Sequence, residues 1–97
     1  ELFGPAIGIT KTSNIEEAIN LVNDTRFGLS ASVFTEDINK AMRFANEVDS
    51  GNLHINFGTA WRAENMPYGG LKNSGIGKEG PKYAINEMTE TKMVIIH

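Results

Sequence analysis

Arg62 stands beside Trp61, the chain's one tryptophan, and Tyr68 follows within the glycine-rich run 66–80. Those residue types make binding chemistry rather than bond-breaking chemistry. Aromatic faces wall a pocket, and one fixed cation orients the ligand inside it. A guanidinium suits an anionic substrate group because its planar fork grips two oxygens at once. Phe57, at the head of the same stretch, is a further candidate wall. The competing structural reading is a surface loop pinned by a half-buried Trp61, with Arg62 in a surface salt bridge. The residues alone lean slightly to the second.

Gly75-Ile76-Gly77-Lys78-Glu79-Gly80 spells G-x-G-x-x-G, the pattern in which glycines let backbone approach a dinucleotide pyrophosphate. The context argues against it. The pattern should follow a strand directly, yet it follows Gly69-Gly70-Leu71-Lys72-Asn73-Ser74. It also requires an acidic residue roughly 20 positions on, where this chain is already ending in an apolar stretch. A tight loop feeding a helix is the better reading. Ser74 lacks the elbow motif of a serine nucleophile and has no plausible histidine partner. His54 has no second ligand at metal-binding spacing and reads as a satisfied structural histidine.

Regular elements must hold these loops in place. Ala6 to Lys11 is short, apolar and β-branched, which predicts a strand. Ser13 and Glu16 match a capping box, and Ile15, Ala18, Ile19 and Val22 recur at helical spacing, so a helix is expected to about Asn23. Phe27-Gly28 ends the turn, and Leu29 to Phe34 reads as a strand. A second helix starts near Thr35 or Asp37, with Ile38, Ala41, Met42, Ala45 and Val48 as its apolar stripe and Gly51 as its left-handed cap. Leu53, Ile55 and Phe57 alternate in a third strand. Pro81 opens a short third helix ending near Thr89. Thr91 to Ile96 is the last strand. The fold class expected is α/β: a mainly parallel β-α-β-α-β unit, a long Gly-rich loop, a short helix and a C-terminal strand.

Composition sets the outer bounds. The 97 residues hold 40% hydrophobic and 22% charged side chains, ordinary for a globular domain with one modest core. The net charge of −3 and scattered basic residues argue against nucleic acid or an anionic membrane as partner. There is no cysteine, so the chain has no thiolate chemistry of its own. No apolar run approaches the ~20 residues of a membrane span, and a cytoplasmic protein is the default expectation. The chain opens at Glu1-Leu2-Phe3-Gly4-Pro5 and closes on Met93-Val94-Ile95-Ile96-His97. Those ends are expected of a piece cut from a longer protein.

Glu1-x-Phe3-Gly4-Pro5, the run Asn23 to Thr35 with Phe27-Gly28-Leu29, and Pro67-Tyr68-Gly69-Gly70-x-Lys72-x-Ser74-Gly75 occur here in one order. In that order and spacing the chain resembles the C-terminal part of the aldehyde dehydrogenase catalytic domain, over residues 1–97. The resemblance implies an oxidoreductase that turns an aldehyde into a carboxylic acid with NAD or NADP. In that family a cysteine thiolate attacks the aldehyde, hydride passes to nicotinamide, and a glutamate activates water. The matching cysteine and glutamate lie upstream of Glu1, so this chain is expected to hold no catalytic residue and to be inactive alone.

Carried over by position, Glu1 corresponds to the residue that binds the nicotinamide ribose, and Phe3 to the aromatic near the nicotinamide. Phe57, Trp61, Arg62 and Tyr68 fall at the substrate-binding loop and tunnel. Asn56 and residues 69–75 are expected to shape the loop. Arg62 points to an aldehyde bearing a hydroxyl, phosphate or acid group. No metal is expected, nor NAD binding by the 97-residue chain by itself. The resemblance also implies a homo-oligomer, with Thr91 to His97 open to pairing or swapping between chains. Two alternatives compete: a non-enzymatic α/β interaction module, and a small nucleotide-binding protein built on Gly75 to Gly80.

Overall fold

A computed structural model describes residues 2–97, so the expectation for Glu1 lies outside the described residues. The elements run α1 (Ile15–Asn23), β1 (Phe27–Gly28), β2 (Ser30–Val33), α2 (Ile38–Glu47), β3 (Asn52–Ile55), β4 (Leu71–Lys72) and α3 (Pro81–Met88).

The first helix begins one residue later than the capping box predicts. Asn14, not Ser13, is the N-cap: its side-chain oxygen accepts from the Glu17 backbone N–H at 2.9 Å. The Glu17 carboxylate in turn accepts from the Ser13 N–H at 2.8 Å. The box is shifted by one position, and its return bond reaches the residue before the N-cap rather than the N-cap itself. At the far end Lys72 places its ammonium on the carbonyls of Asn23 and Thr25, at 2.9 and 3.2 Å. A cation there suits the C-terminal end of the helix, whose last carbonyl, that of Asn23, has no partner within the helix.

Asp37 caps α2, accepting from the N–H groups of Asn39 and Lys40. The buried stripe of this helix is Ala41, Phe44 and Val48. The predicted stripe missed Phe44 and included Ile38 and Met42, which are 68% and 50% exposed. Ile19, Phe44 and Val48 form the core, with Ile15, Ala31, Val33 and Leu53 packed against it. Both helices therefore cover one face of a small sheet.

That sheet is β2 beside β3, parallel, in the register Ser30–Asn52 to Val33–Ile55. Parallel neighbours need a crossover, and α2 supplies it. The expected parallel pairing is thus present, within an α/β arrangement. Successive side chains of a strand point to opposite faces, so the second face carries Asn52 and His54. These polar residues are only 5% and 8% exposed because the glycine-rich loop lies over them, while Ile55 is 42% exposed.

Three further expectations change. Phe27-Gly28 is not merely a turn end: it pairs antiparallel with Leu71–Lys72, tying the glycine-rich loop back to the first half of the chain. Gly51 is not a left-handed cap, since its φ is not positive and α2 ends at Val48 in extended backbone. Glycine is needed there for closeness, because a Cβ would lie 1.8 Å from the Gly69 carbonyl oxygen.

The segments 6–11 and 91–96 form no strand, having no ladder partner. A strand exists only through its hydrogen-bonded neighbour, and none of the described residues provides one. Their apolar side chains stand open, with Ile7, Ile9 and Ile96 each more than 80% exposed. The radius of gyration is accordingly 17.5 Å, where a compact chain of this length would give about 13 Å.

Candidate functional site

The loop 57–80 is set by its two ends. At the first, Asn56 takes a positive φ of 58°, and its amide closes on Thr35 from both sides. The Asn56 Oδ1 accepts from the Thr35 N–H at 2.8 Å, and its Nδ2 donates to the Thr35 carbonyl at 2.9 Å. Asparagine tolerates this conformation better than most residues, and the double contact fixes where β3 ends and Phe57 begins. At the other end Pro81 starts α3 after Gly80, whose φ of 108° is glycine territory.

Between these anchors lie two side-chain clusters. Trp61 packs edge-on against Phe57 (centroids 6.2 Å apart) and against His54 (6.4 Å). Such edge-to-face pairs are favoured by the ring quadrupoles. His54 is buried but not fully satisfied, as its Nε2 has no hydrogen-bond partner among the described residues. Trp61 and Phe57 stay 53% and 56% exposed, so each keeps one open face.

In the second cluster the Arg62 guanidinium lies over the Tyr68 ring, 4.6 Å from its centroid. Its Nη1 donates to the Glu79 carboxylate at 3.0 Å. Tyr68 and Glu79 are themselves locked by an antiparallel bridge, N–H to carbonyl in both directions at 3.2 and 2.6 Å. One bridge therefore fixes both partners of the guanidinium. Arg62 is in the surface salt bridge that the structural reading expects, with its side chain still 45% exposed. The guanidinium has five N–H donors, so one bond to Glu79 leaves donors for an anion. Both readings of Arg62 fit the same geometry.

The structure thus groups Phe57 with Trp61, and Arg62 with Tyr68. Phe3, 92% exposed on the N-terminal arm, joins neither cluster. Two members escaped the sequence reading. Glu79 lies 17 positions from Arg62, and only the fold brings them together. His54 was read as structural without its contact to Trp61.

Gly75 to Gly80 form no phosphate cradle. The Glu87 carboxylate is 3.8 Å from where a Cβ on Gly77 would sit, and would repel a pyrophosphate. The Lys78 ammonium is turned onto the Gly69 carbonyl at 2.9 Å. The stretch leads from the Tyr68–Glu79 bridge into α3, a tight loop feeding a helix. The described residues alone do not fit a dinucleotide; Phe3 offers one aromatic face and nothing that would hold phosphate. A cavity of about 440 Å³ does open beneath the loop, walled in part by Tyr68, Gly70, Lys78, Glu79 and Glu87.

The chain belongs to the aldehyde dehydrogenase family, whose model matches residues 1–94. It is 52% identical, over all 97 residues, to the lactaldehyde dehydrogenase of Methanococcus vannielii, covering 21% of that protein. It is 50% identical to the 3-sulfolactaldehyde dehydrogenase of Priestia aryabhattai over its whole length, covering 20% of that one. The crystal structure of a glyceraldehyde-3-phosphate dehydrogenase from Methanocaldococcus jannaschii, complexed with NADP, superposes with a TM-score of 0.81. That match is 46% identical and covers 87% of this chain and 18% of the other. The chain therefore spans about one fifth of the length of the curated relatives it matches.

Proposed function

We propose that this chain forms part of an NAD- or NADP-dependent aldehyde dehydrogenase that oxidises a small aldehyde carrying an anionic or hydroxyl group to its carboxylic acid. The observation behind it is the 52% identity to a lactaldehyde dehydrogenase over all 97 residues, a span that includes the loop bearing Trp61, Arg62 and Tyr68. Substrates named for relatives agree in kind: lactaldehyde and 3-sulfolactaldehyde both carry a polar group beside the aldehyde carbon.

The chain's own part is binding. Phe57 and Trp61 present open aromatic faces, Tyr68 backs the guanidinium, and Arg62 holds the anionic end of the substrate. Glu1 and Phe3 are assigned to the nicotinamide end of the cofactor, whose remaining contacts come from outside residues 1–97. No cysteine is present, so the covalent step needs a nucleophile elsewhere in the protein, and the 97 residues alone are inactive. The parent is assigned to the cytoplasm as a homo-oligomer.

Replacing Arg62 by alanine in the protein that carries this segment tests the assignment. The expected result is a rise in KM of about tenfold or more for an anionic aldehyde, the scale of one charge-assisted hydrogen bond. An unchanged KM removes Arg62 from the substrate site.

A further inference from the structure

We propose that Glu79 is a specificity-determining positioning residue: its carboxylate holds the Arg62 guanidinium over the Tyr68 ring and sets how strongly the site prefers anionic over uncharged aldehydes. The inference rests on the assignment of Arg62 to the anionic end of the substrate.

Geometry gives Glu79 this role. Its Oε2 is 3.0 Å from Nη1 of Arg62, while the ring of Tyr68 supports the same guanidinium from one face at 4.6 Å. The arginine is thereby held in place without a substrate, so less side-chain freedom is lost on binding. The same carboxylate cancels much of the arginine's charge. A substrate anion that reaches the remaining donors must approach Glu79 as well, and like charges a few ångströms apart repel.

Exposure sets the size of the effect. The Arg62 and Glu79 side chains are 45% and 66% exposed. An ion pair that open to water is worth little by itself, so it yields to a substrate anion and acts as a bias, not a block. The backbone bridge between Tyr68 and Glu79 does not involve the carboxylate. Replacing the carboxylate by an amide therefore leaves the scaffold of the cluster in place.

The test uses Glu79→Gln in the full protein, because the amide oxygen still accepts from Arg62 while the charge is gone. The readout is kcat/KM for a three-carbon aldehyde bearing a carboxylate or phosphate, divided by kcat/KM for propionaldehyde. Effects on chemistry common to both substrates cancel in that ratio. Removing one full charge at this range is expected to raise the ratio about three- to tenfold. The gain is expected mostly in KM for the anionic substrate, and is expected to shrink as salt is added. Glu79→Ala, which also loses the hold on Arg62, is expected to raise the ratio less than Glu79→Gln does. A ratio that stays the same or falls in Glu79→Gln overturns the proposal. Arg62→Ala separates the two layers. If it raises KM for the anionic aldehyde while Glu79→Gln leaves the ratio unmoved, only the role of Glu79 fails. If it leaves KM unmoved, the assignment beneath it fails too.

Discussion

Gly51→Ala is the sharpest structural perturbation this fold offers. Gly51 sits where the start of β3 meets the Gly69-Gly70 turn, and its N–H donates to the Gly28 carbonyl at 3.0 Å. A methyl group there would lie 1.8 Å from the Gly69 oxygen, where real contacts do not fall below 3.0 Å, so the two backbones must part by at least 1.2 Å. Neither side can yield cheaply, because both are main chain. Gly69 is also held in place by donors: Lys78 Nζ at 2.9 Å and Asn52 Nδ2 at 3.4 Å from the same oxygen. Overpacking of this sort costs about 1–3 kcal/mol. Loss of the charged hydrogen bond from Lys78 adds about 1.5–3 kcal/mol where it breaks. A loss near 3 kcal/mol is a large part of the roughly 5–15 kcal/mol that holds a domain together. Calorimetry on the full protein, about five times the length of this chain by its relatives, is the assay, with an expected fall in Tm of about 3 °C. Gly28→Ala is a graded comparison: its Cβ would meet the Asp49 carbonyl at 2.6 Å, so its loss should be smaller. A Gly51→Ala protein melting within 1 °C of the wild type would refute the close-approach argument.

Two more predictions concern the core and the helix surface. Phe44→Ala removes the largest side chain of the core, only 4% exposed, and should cost about 3–5 kcal/mol, read as a lower denaturant midpoint. On α2, Arg43 donates twice to Glu47, at 2.8 and 3.0 Å. That hydrogen bonding holds the Glu47 carboxyl below the ordinary glutamate range. A lowered folded pKa gives stability that is full above the unfolded value of about 4.3 and is lost as pH falls through the folded value. The difference in denaturant midpoint between wild type and Glu47→Gln should therefore be small but present at neutral pH, absent in strong acid, and reduced by salt.

Local signals were the legible part of the sequence. The apolar spacing of α1, the carboxylate cap of α2 and Pro81 at the start of α3 each state their element within a few residues. The capping box was misplaced by one because Ser13-Asn14 and Glu16-Glu17 offer two equivalent choices, and the structure takes Asn14 with Glu17. Phe44 was missed because alanines and a methionine beside it make an equally good stripe on paper. Residues 6–11 and 91–96 carry the composition of strands, but pairing is a property of two segments, and composition describes one. The same limit explains the site. Trp61, Arg62 and Tyr68 could be picked out by type, yet the Glu79 contact and the Asn56–Thr35 clasp join residues 17 and 21 positions apart. Gly51 looked like a helix cap because its neighbour across the fold, Gly69, is invisible in a linear reading.

Product analysis bears most directly on the account. The full protein, given an anionic hydroxyaldehyde and NAD or NADP, should form the carboxylic acid and the reduced nucleotide in equal amounts, whereas the 97-residue chain alone should form neither. Acid formation without nucleotide reduction, or turnover by the cysteine-free chain, would contradict it.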